Sequence, residues 1–326
     1  RVVRFLERLA AFRAQRLEAK GSMRVNGEDS LQAQLQNFDV TALRAVLGDS
    51  FPLTFGYADA NLELHGDVQQ PELSLTGALR EAKAWNLEQI DALYTVSYKD
   101  GHLELDSDVD LKDRGNMQLD GQGELDGSIP DPIEALRGGL YNLNLEGKQI
   151  DVTLIPQLKG VMHAGRLEGA LSAQGGLESV TVSGNIDGAD LYALDWAPLE
   201  LSTRFKYDHD DLSLQLRASD ALGALGRARA SWHADWRSLN QDPAGYARQL
   251  LAEDFQAEGQ TTERALDELP FPLAFQNPWP VRFSSRFNVQ RKERALSGEV
   301  EGALTPKQRL YDPSCNVSSD SKLETR

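Results

Sequence analysis

Residues 101–111 read GHLELDSDVDL. Leu103, Leu105, Ser107, Val109 and Leu111 occupy one parity, and His102, Glu104, Asp106, Asp108 and Asp110 the other. A strand sends successive side chains to opposite faces, so this segment has one apolar and one acidic face. Asp100-Gly101, just before it, favours a tight hairpin turn. On the far side of that turn Ile90, Ala92, Tyr94, Val96 and Tyr98 alternate in the same way. Arg114-Gly115-Asn116 follows, then Leu119 and Leu125 among Gln118, Asp120, Gln122 and Glu124. Three successive antiparallel strands are expected, each with one apolar face, and the question becomes what covers it.

Working outward, Leu62-Leu64 and Leu73-Leu75-(Gly77)-Leu79 read as earlier strands, and Asn26-Gly27 as a hairpin between residues 23–25 and 31–35. Asn37–Gly48 reads as a short helix, with Asp39 as N-cap and Gly48 as stop. The text then restarts. Asn37-Phe38-Asp39-Val40-Thr41 is echoed by Gln149-Ile150-Asp151-Val152-Thr153, and Leu73–Gly77 by Val180–Gly184. Tyr98-Lys99-Asp100 with Leu103–Leu105 is echoed by Tyr207-Asp208-His209 with Leu212–Leu214. A looser third copy repeats Phe51-Pro52-Leu53-Thr54-Phe55 as Phe271-Pro272-Leu273-Ala274-Phe275, and carries Val281, Phe283, Phe287 and Val289 in alternation. The period is roughly 110 residues. Short helix signals lie between copies, at Asp131-Pro132, at Asp242-Pro243 and in ERALDEL after Thr261 or Thr262.

The ends differ. Residues 1–20 show helical periodicity and a local excess of basic residues, suited to packing on the sheet or to contact with an anionic lipid surface. The domain reading is therefore an amphipathic helix over 1–20, a repetitive β segment over 21–304 (copies 31–140, 141–253 and 254–304), and a tail over 305–326 that is disordered or foreign to the fold. Arg1 is not an initiator Met, and the chain is expected to be an interior segment of a longer one.

Composition excludes several functions. With 50 acidic against 34 basic residues among 326, the net charge of −16 opposes nucleic-acid binding. One cysteine, Cys315, allows neither an internal disulfide nor a cysteine-rich zinc site. No apolar run reaches the length of about 18 residues that a membrane span needs, and no signal peptide is visible. The five histidines lack metal-ligand spacing. Asp106, Asp108 and Asp110 resemble the start of a calcium loop, but Leu111 and Met117 stand where an EF-hand needs Gly and Glu. No nucleophile elbow or phosphate-binding loop is present. The expectation is a non-enzyme without cofactor or metal.

Some 16 to 18 strand-like segments with few helices leave two architectures. One is a closed sandwich. The other is an all-β fold in which a long antiparallel sheet bends lengthwise into a trough, roughly 75 Å for sixteen strands at about 4.8 Å each. The apolar floor of such a trough is read as Leu62, Leu64, Leu73, Leu75, Tyr94, Val96, Leu103, Leu105, Val109, Leu111, Val180, Val182, Leu212, Leu214, Leu216, Phe283 and Phe287. A face that large needs an oily occupant, and phospholipid acyl chains fit.

The motifs Asn37-Phe38-Asp39-Val40-Thr41-x-Leu43, Leu62-x-Leu64-x-Gly66 with Pro71-Glu72-Leu73-Ser74-Leu75-x-Gly77, and Tyr98–Leu105 resemble the TamB family, within the wider AsmA-like group. The resemblance covers about residues 21–304, and Ser179 replaces Pro71 in the second copy. It implies a cell-envelope protein of Gram-negative bacteria with an N-terminal inner-membrane anchor and a periplasmic "β-taco" groove. It also implies a C-terminal region that works with the outer-membrane barrel TamA. Lipid transfer between membranes and assembly of outer-membrane proteins are the roles it suggests. The anchor and the TamA-docking signature lie outside the motifs matched here. The alternatives from other classes are a scaffold for unfolded outer-membrane proteins and a structural stalk or adhesin.

Overall fold

The computed structural model describes residues 16–22, 29–42, 53–66, 71–84, 87–125, 135–136, 138–155, 161–176, 179–193, 197–234, 253–270, 281–292, 295–306 and 322–325. The chain divides into two units, residues 1–150 with 170–177, and residues 151–169 with 178–326. Both are built almost wholly from antiparallel strands, as the alternation predicts.

The first unit is a meander of β1 (Arg16–Ser22), β2 (Asp29–Asp39), β3 (Leu53–Gly66), β4 (Pro71–Ala84), β5 (Leu87–Lys99), β6 (His102–Asp110), β7 (Asn116–Glu124) and β8 (Leu140–Asp151). Each strand pairs antiparallel with the next. The second unit continues this plan. β9 (Met162–Gly176, its first half in this unit) pairs with β10 (Ser179–Ala193). Then come β11 (Leu199–Asp208), β12 (Asp211–Asp220), β13 (Gly223–His233), β14 (Phe255–Thr261), the two-residue β15 (Arg264–Ala265), β16 (Val281–Lys292), β17 (Ala295–Pro306) and β18 (Lys322–Thr325). β14 and β15 both pair with β16.

The repeat seen in the sequence is a repeat of hydrogen bonds. Asp100 and Gly101 have φ of 52° and 83°, and His209 and Asp210 have 48° and 65°. Two residues of positive φ make the two-residue hairpin whose twist suits the flanking strands. Behind each hairpin the departing chain is tied to the turn by the same bond, Leu125 N–H to the Gly101 carbonyl (2.7 Å) and Ala234 N–H to that of Asp210 (2.6 Å). The Asp-Val-Thr echo also repeats in detail. Asp39 Oδ1 accepts from the Thr41 N–H and hydroxyl, and Asp151 Oδ1 from those of Thr153, at 2.7–2.9 Å. One echo is out of step. Leu73 faces Tyr98, but it is Val182, not Val180, that faces Tyr207. Parity is kept, so the two-residue slip leaves every side chain on its face.

Bulges locate the tightly packed residues. In β2 the apolar parity runs Leu31, Ala33, Leu35 and then switches to Phe38, Val40, Ala42 across Asn37 at φ 51°. β4 switches from Leu79 to Ala82 across Glu81 (φ 52°), and β10 from Gly188 to Leu191 across Asp190 (φ 50°). An extra residue bends the strand and re-aims its side chains. It also strands a backbone donor. Asp59 Oδ1 accepts from the Asn37 N–H and Asp91 Oδ1 from that of Glu81, each at 2.7 Å. Beyond or opposite the bulges lie buried side chains, Phe38, Val40, Ala82 and Ala84 in the first unit and Leu191 and Leu199 in the second, while Leu111, Val152 and Leu154 are buried at 3₁₀ turns.

Three helix expectations change. Arg16–Lys20 is strand, because Leu17, Ala19 and Gly21 also alternate and β2 offers an edge to pair with. Residues 1–15 lie outside the described residues. Asp39 does cap a turn at Thr41-Ala42, but Asn37–Asp39 is the end of β2; the rest of that expected helix lies outside the described residues. Thr261 belongs to β14, and ERALDEL forms β15 and a single 3₁₀ turn, Leu266–Glu268. Of the other two helix signals, Ala135-Leu136 are helical and the segment after Asp242-Pro243 lies outside the described residues. In the tail, β17 runs to Pro306 and β18 pairs with its residues 300–303.

The corner after β14 is held differently from the two Asp-Val-Thr corners. Arg264 is buried, and its Nη1 donates to both oxygens of Asp220 at 2.7 Å while Nη2 donates to the Ala224 carbonyl. Removing one partner of a buried pair leaves an uncompensated charge. Asp220→Asn should therefore destabilise the second unit by about 3–5 kcal/mol. Asp220→Leu with Arg264→Met should recover most of that loss. Urea unfolding of the three proteins checks this, and equal midpoints for wild type and Asp220→Asn would refute it.

Candidate functional site: the apolar face of the sheet

Directly opposed residues in antiparallel strands share a face, so the register maps the face row by row. In the first unit one row is Ala33, Leu62, Leu75, Val96, Leu105, Gly121 and Leu143. The next is Leu31, Leu64, Leu73, Tyr98, Leu103, Gly123 and Tyr141. On the other side run Leu35, Ala60, Gly77, Tyr94, Ser107, Leu119 and Leu145, and then Phe38, Ala58, Leu79, Ala92, Val109, Met117 and Gly147. Only one of these positions, Ser107, is polar.

The second unit repeats the arrangement. Gly184, Phe205, Leu214, Ala230, Ala257, Val289 and Gly298 form one row. Ile186, Thr203, Leu216, Ala228, Gly259, Phe287 and Val300 form the next. Val182, Tyr207, Leu212, Trp232, Phe255, Arg291 and Leu296 form a third. Phe283 faces Leu304 two rows further along, past Ser285 and Gly302, and Val180 packs on the Tyr207–Ala234 cluster near the hairpin.

Every side chain named for the floor from the sequence thus falls on the apolar parity of its strand. Leu111 departs from the rest. It is buried at 4 % exposure at the start of a 3₁₀ turn, where it packs instead of lining the face. The others are half-buried. That is the reverse of a closed sandwich, whose mid-strand inward residues are its core. Here the largest fully buried side chains, Phe38, Val40, Val152 and Leu191, sit at strand ends and bulges. Sequence reasoning missed small members, Ala33, Ala92, Ala228, Ala230, Ala257, Gly121 and Gly123, and large ones such as Tyr98, Leu119, Leu143, Phe205 and Trp232. Strand parity was the available signal for them.

Three glycines let aromatic rings lie flat on this face. A Cβ at Gly77 would fall on the Tyr94 phenol, one at Gly123 on the Tyr141 ring, and one at Gly259 on the Phe287 ring. Each ring belongs to the paired neighbour in the next strand. Laid over glycine, it covers backbone without projecting from the face. The Tyr94 phenol is held above its usual pKa by burial and then by the charge of Asp59.

The opposite face is hydrophilic. One row reads Gln34, Asn61, Thr76, Thr95, Asp106, Asp120 and Asn144. Depressions of about 620 Å³ beside Arg80, Asp91, Asp108 and Lys148, and of about 420 Å³ among Arg227, Arg229, Glu258 and Arg286, are gaps between long charged side chains of this face. Among the described residues no group of three or more His, Cys, Asp or Glu could hold a metal, and no helix is long and apolar enough to cross a membrane. No family model, no curated protein and no solved structure matches the chain.

Two carboxyls on this hydrophilic side, exposed Asp106 and half-buried Asp208, are pushed in opposite directions. Asp106 is raised, chiefly by sharing a hydrogen bond with the Asp120 carboxyl opposite it. Asp208 is lowered to about 2, first by the Lys206 ammonium and then by His209. Asp208 therefore adds stability above the ordinary carboxylate pKa and loses it as pH falls toward about 2. The Asp106 contribution has the opposite sign, present at low pH and lost as pH rises through its raised value. Carboxyl carbon shifts followed by NMR should show Asp106 titrating after Asp208 as pH rises, and Asp120→Asn should bring Asp106 down. The reverse order would refute the assignment.

Proposed function

We propose that this chain is a segment of a hydrophobic groove that carries phospholipid acyl chains between the membranes of a Gram-negative cell envelope, in a periplasmic protein of the TamB or AsmA-like kind. The observation that carries the reading is the succession of mainly apolar cross-strand rows in each unit, whose large mid-strand side chains such as Leu75, Val96, Leu105 and Leu214 are half-buried where a core would be fully buried. Each buried methylene is worth about 0.8 kcal/mol. A sixteen-carbon chain re-entering water would lose on the order of 12 kcal/mol, so transfer requires apolar contact at every step. A face of Leu, Val, Ala and flat-lying aromatic rings supplies it, and no reacting group is needed. Partnership with TamA would belong to other parts of the full-length protein.

The full chain, expressed in the periplasm and analysed by native mass spectrometry, should carry phospholipid. Leu105→Asp charges the middle of a row between Val96 and Gly121 and should strip the lipid. Gln122→Asp, on the other face of the paired strand, should not. Lipid retained by a folded Leu105→Asp protein, or absent from the wild type, would refute the groove. One observation favours the scaffold reading instead. β18 pairs only with residues 300–303 of β17, whose Leu296 and Val300 are exposed. Photocrosslinkers at Leu296 that capture extended outer-membrane strands and never lipid would favour it.

A further inference from the structure

One row of the second unit is not wholly apolar. Arg291 stands on the apolar parity of β16, facing Phe255 on one side and Leu296 on the other. Among the described residues of β10–β17, the other charged side chains on this parity are Asp220 and Arg264, which neutralise each other at the opposite end of β12. Arg291 also has a contact of its own with the protein, and its charge sits among the apolar side chains of this row. Two strands away in the same row is Trp232, whose ring lies 6.4 Å from that of Phe255 at 35°. Its indole Nε1 is buried and has no acceptor among the described residues. Buried N–H groups are nearly always paired, and an indole is apolar over its body and polar at one edge. The equivalent row of the first unit, Leu73, Tyr98, Leu103, Gly123 and Tyr141, carries no charge, so the feature is not a general property of these hairpin ends.

We propose that this row is the headgroup end of the apolar face: Trp232 Nε1–H donates to an ester or phosphate oxygen of a phospholipid, and the Arg291 guanidinium pairs with its phosphate. The tails then lie along the neighbouring row of Ala230, Ala257 and Val289, where small side chains leave room. Guanidinium–phosphate bonds are charge-assisted and directional, so this position selects lipids bearing an anionic phosphate over neutral amphiphiles. The inference rests on the lipid-groove reading and adds a site and a ligand chemistry to it.

The test uses the full chain, delipidated, with three probes below their micelle concentrations: 1-palmitoyl lysophosphatidylglycerol, 1-hexadecanol and glycerol 3-phosphate. Arg291→Met keeps the apolar stem and removes the charge, and Trp232→Phe keeps a ring and removes the N–H. By calorimetry Arg291→Met should weaken the lysophospholipid about 10-fold or more, and Trp232→Phe about 3- to 10-fold. Hexadecanol should stay within about twofold. Glycerol 3-phosphate should not bind measurably. Equal losses for hexadecanol would mean that the two side chains only shape the floor, and glycerol 3-phosphate binding as tightly as the lysophospholipid would mean a soluble-anion site; either overturns the proposal. Both amphiphiles binding all three proteins alike overturns it and leaves the groove standing. A wild type that binds neither amphiphile removes the groove and this site together.

Discussion

A sheet with one apolar face has to keep that face from water, and the ways of doing so govern everything else in this chain. Helices could cover it, but the helical signals are short. A second sheet could cover it, but mid-strand residues such as Leu105, Val96 and Leu214 would then be fully buried. They are half-buried, while Phe38, Val40, Val152 and Leu191 at the strand ends are sealed. Packing that holds the fold has been moved to the ends of the strands, which leaves the middle of each face available to something that is not part of the protein.

The bulges make that division. Each adds one residue near a strand end, switches the apolar parity and turns the following residues into a corner that can close. The cost is an orphaned backbone N–H, and it is met by a carboxylate from the next strand, Asp59 for Asn37 and Asp91 for Glu81. Part of the strong acidity of the hydrophilic face therefore has a local mechanical cause. Asp39 and Asp151 close their turns, and Asp59 and Asp91 hold bulges, whereas Asp220, on the apolar parity, neutralises a buried arginine. The remainder, such as Asp106 and Asp108, is solvated charge that keeps this face in water.

Much of this was legible in the sequence. Alternation is a backbone property with period two, so Gly101–Leu111 fixed a strand and its two faces before any tertiary information was needed. The hairpins at Asp100-Gly101 and His209-Asp210 were legible for the same local reason. Corners were not. Phe38, Val40 and Ala42 fall inside the segment read as a short helix from Asp39 as N-cap and Gly48 as stop, because the parity switch across Asn37 interrupts the strand alternation. Leu31, Ala33, Leu35 followed by Phe38, Val40, Ala42 shows the switch once a bulge is allowed for. The buried Arg264–Asp220 pair had no signal at all, since its partners lie 44 residues apart and each looks like an ordinary surface charge. The alanines and glycines of the floor carry no bulk to mark them, and large members such as Tyr98, Leu119, Phe205 and Trp232 become visible only once the register joins the strands into rows.

Comparison of the repeats separates what is held constant from what is exchanged. Two corners use an Asp-Val-Thr turn around a buried valine; the third uses a buried ion pair. These are chemically unrelated ways of meeting one mechanical need, and such exchange is expected where only closure matters. The rows across the middle behave differently. Leu75-Val96-Leu105-Gly121 and Phe205-Leu214-Ala230-Ala257 share few residue types, yet neither admits a charge. A flat aromatic ring covers a glycine in both units. A face that only had to stabilise the fold could accept polar residues, because it is half in water already and would lose little by them. The freedom from charge of these middle rows is a property that folding does not demand, and the proposed apolar occupant would.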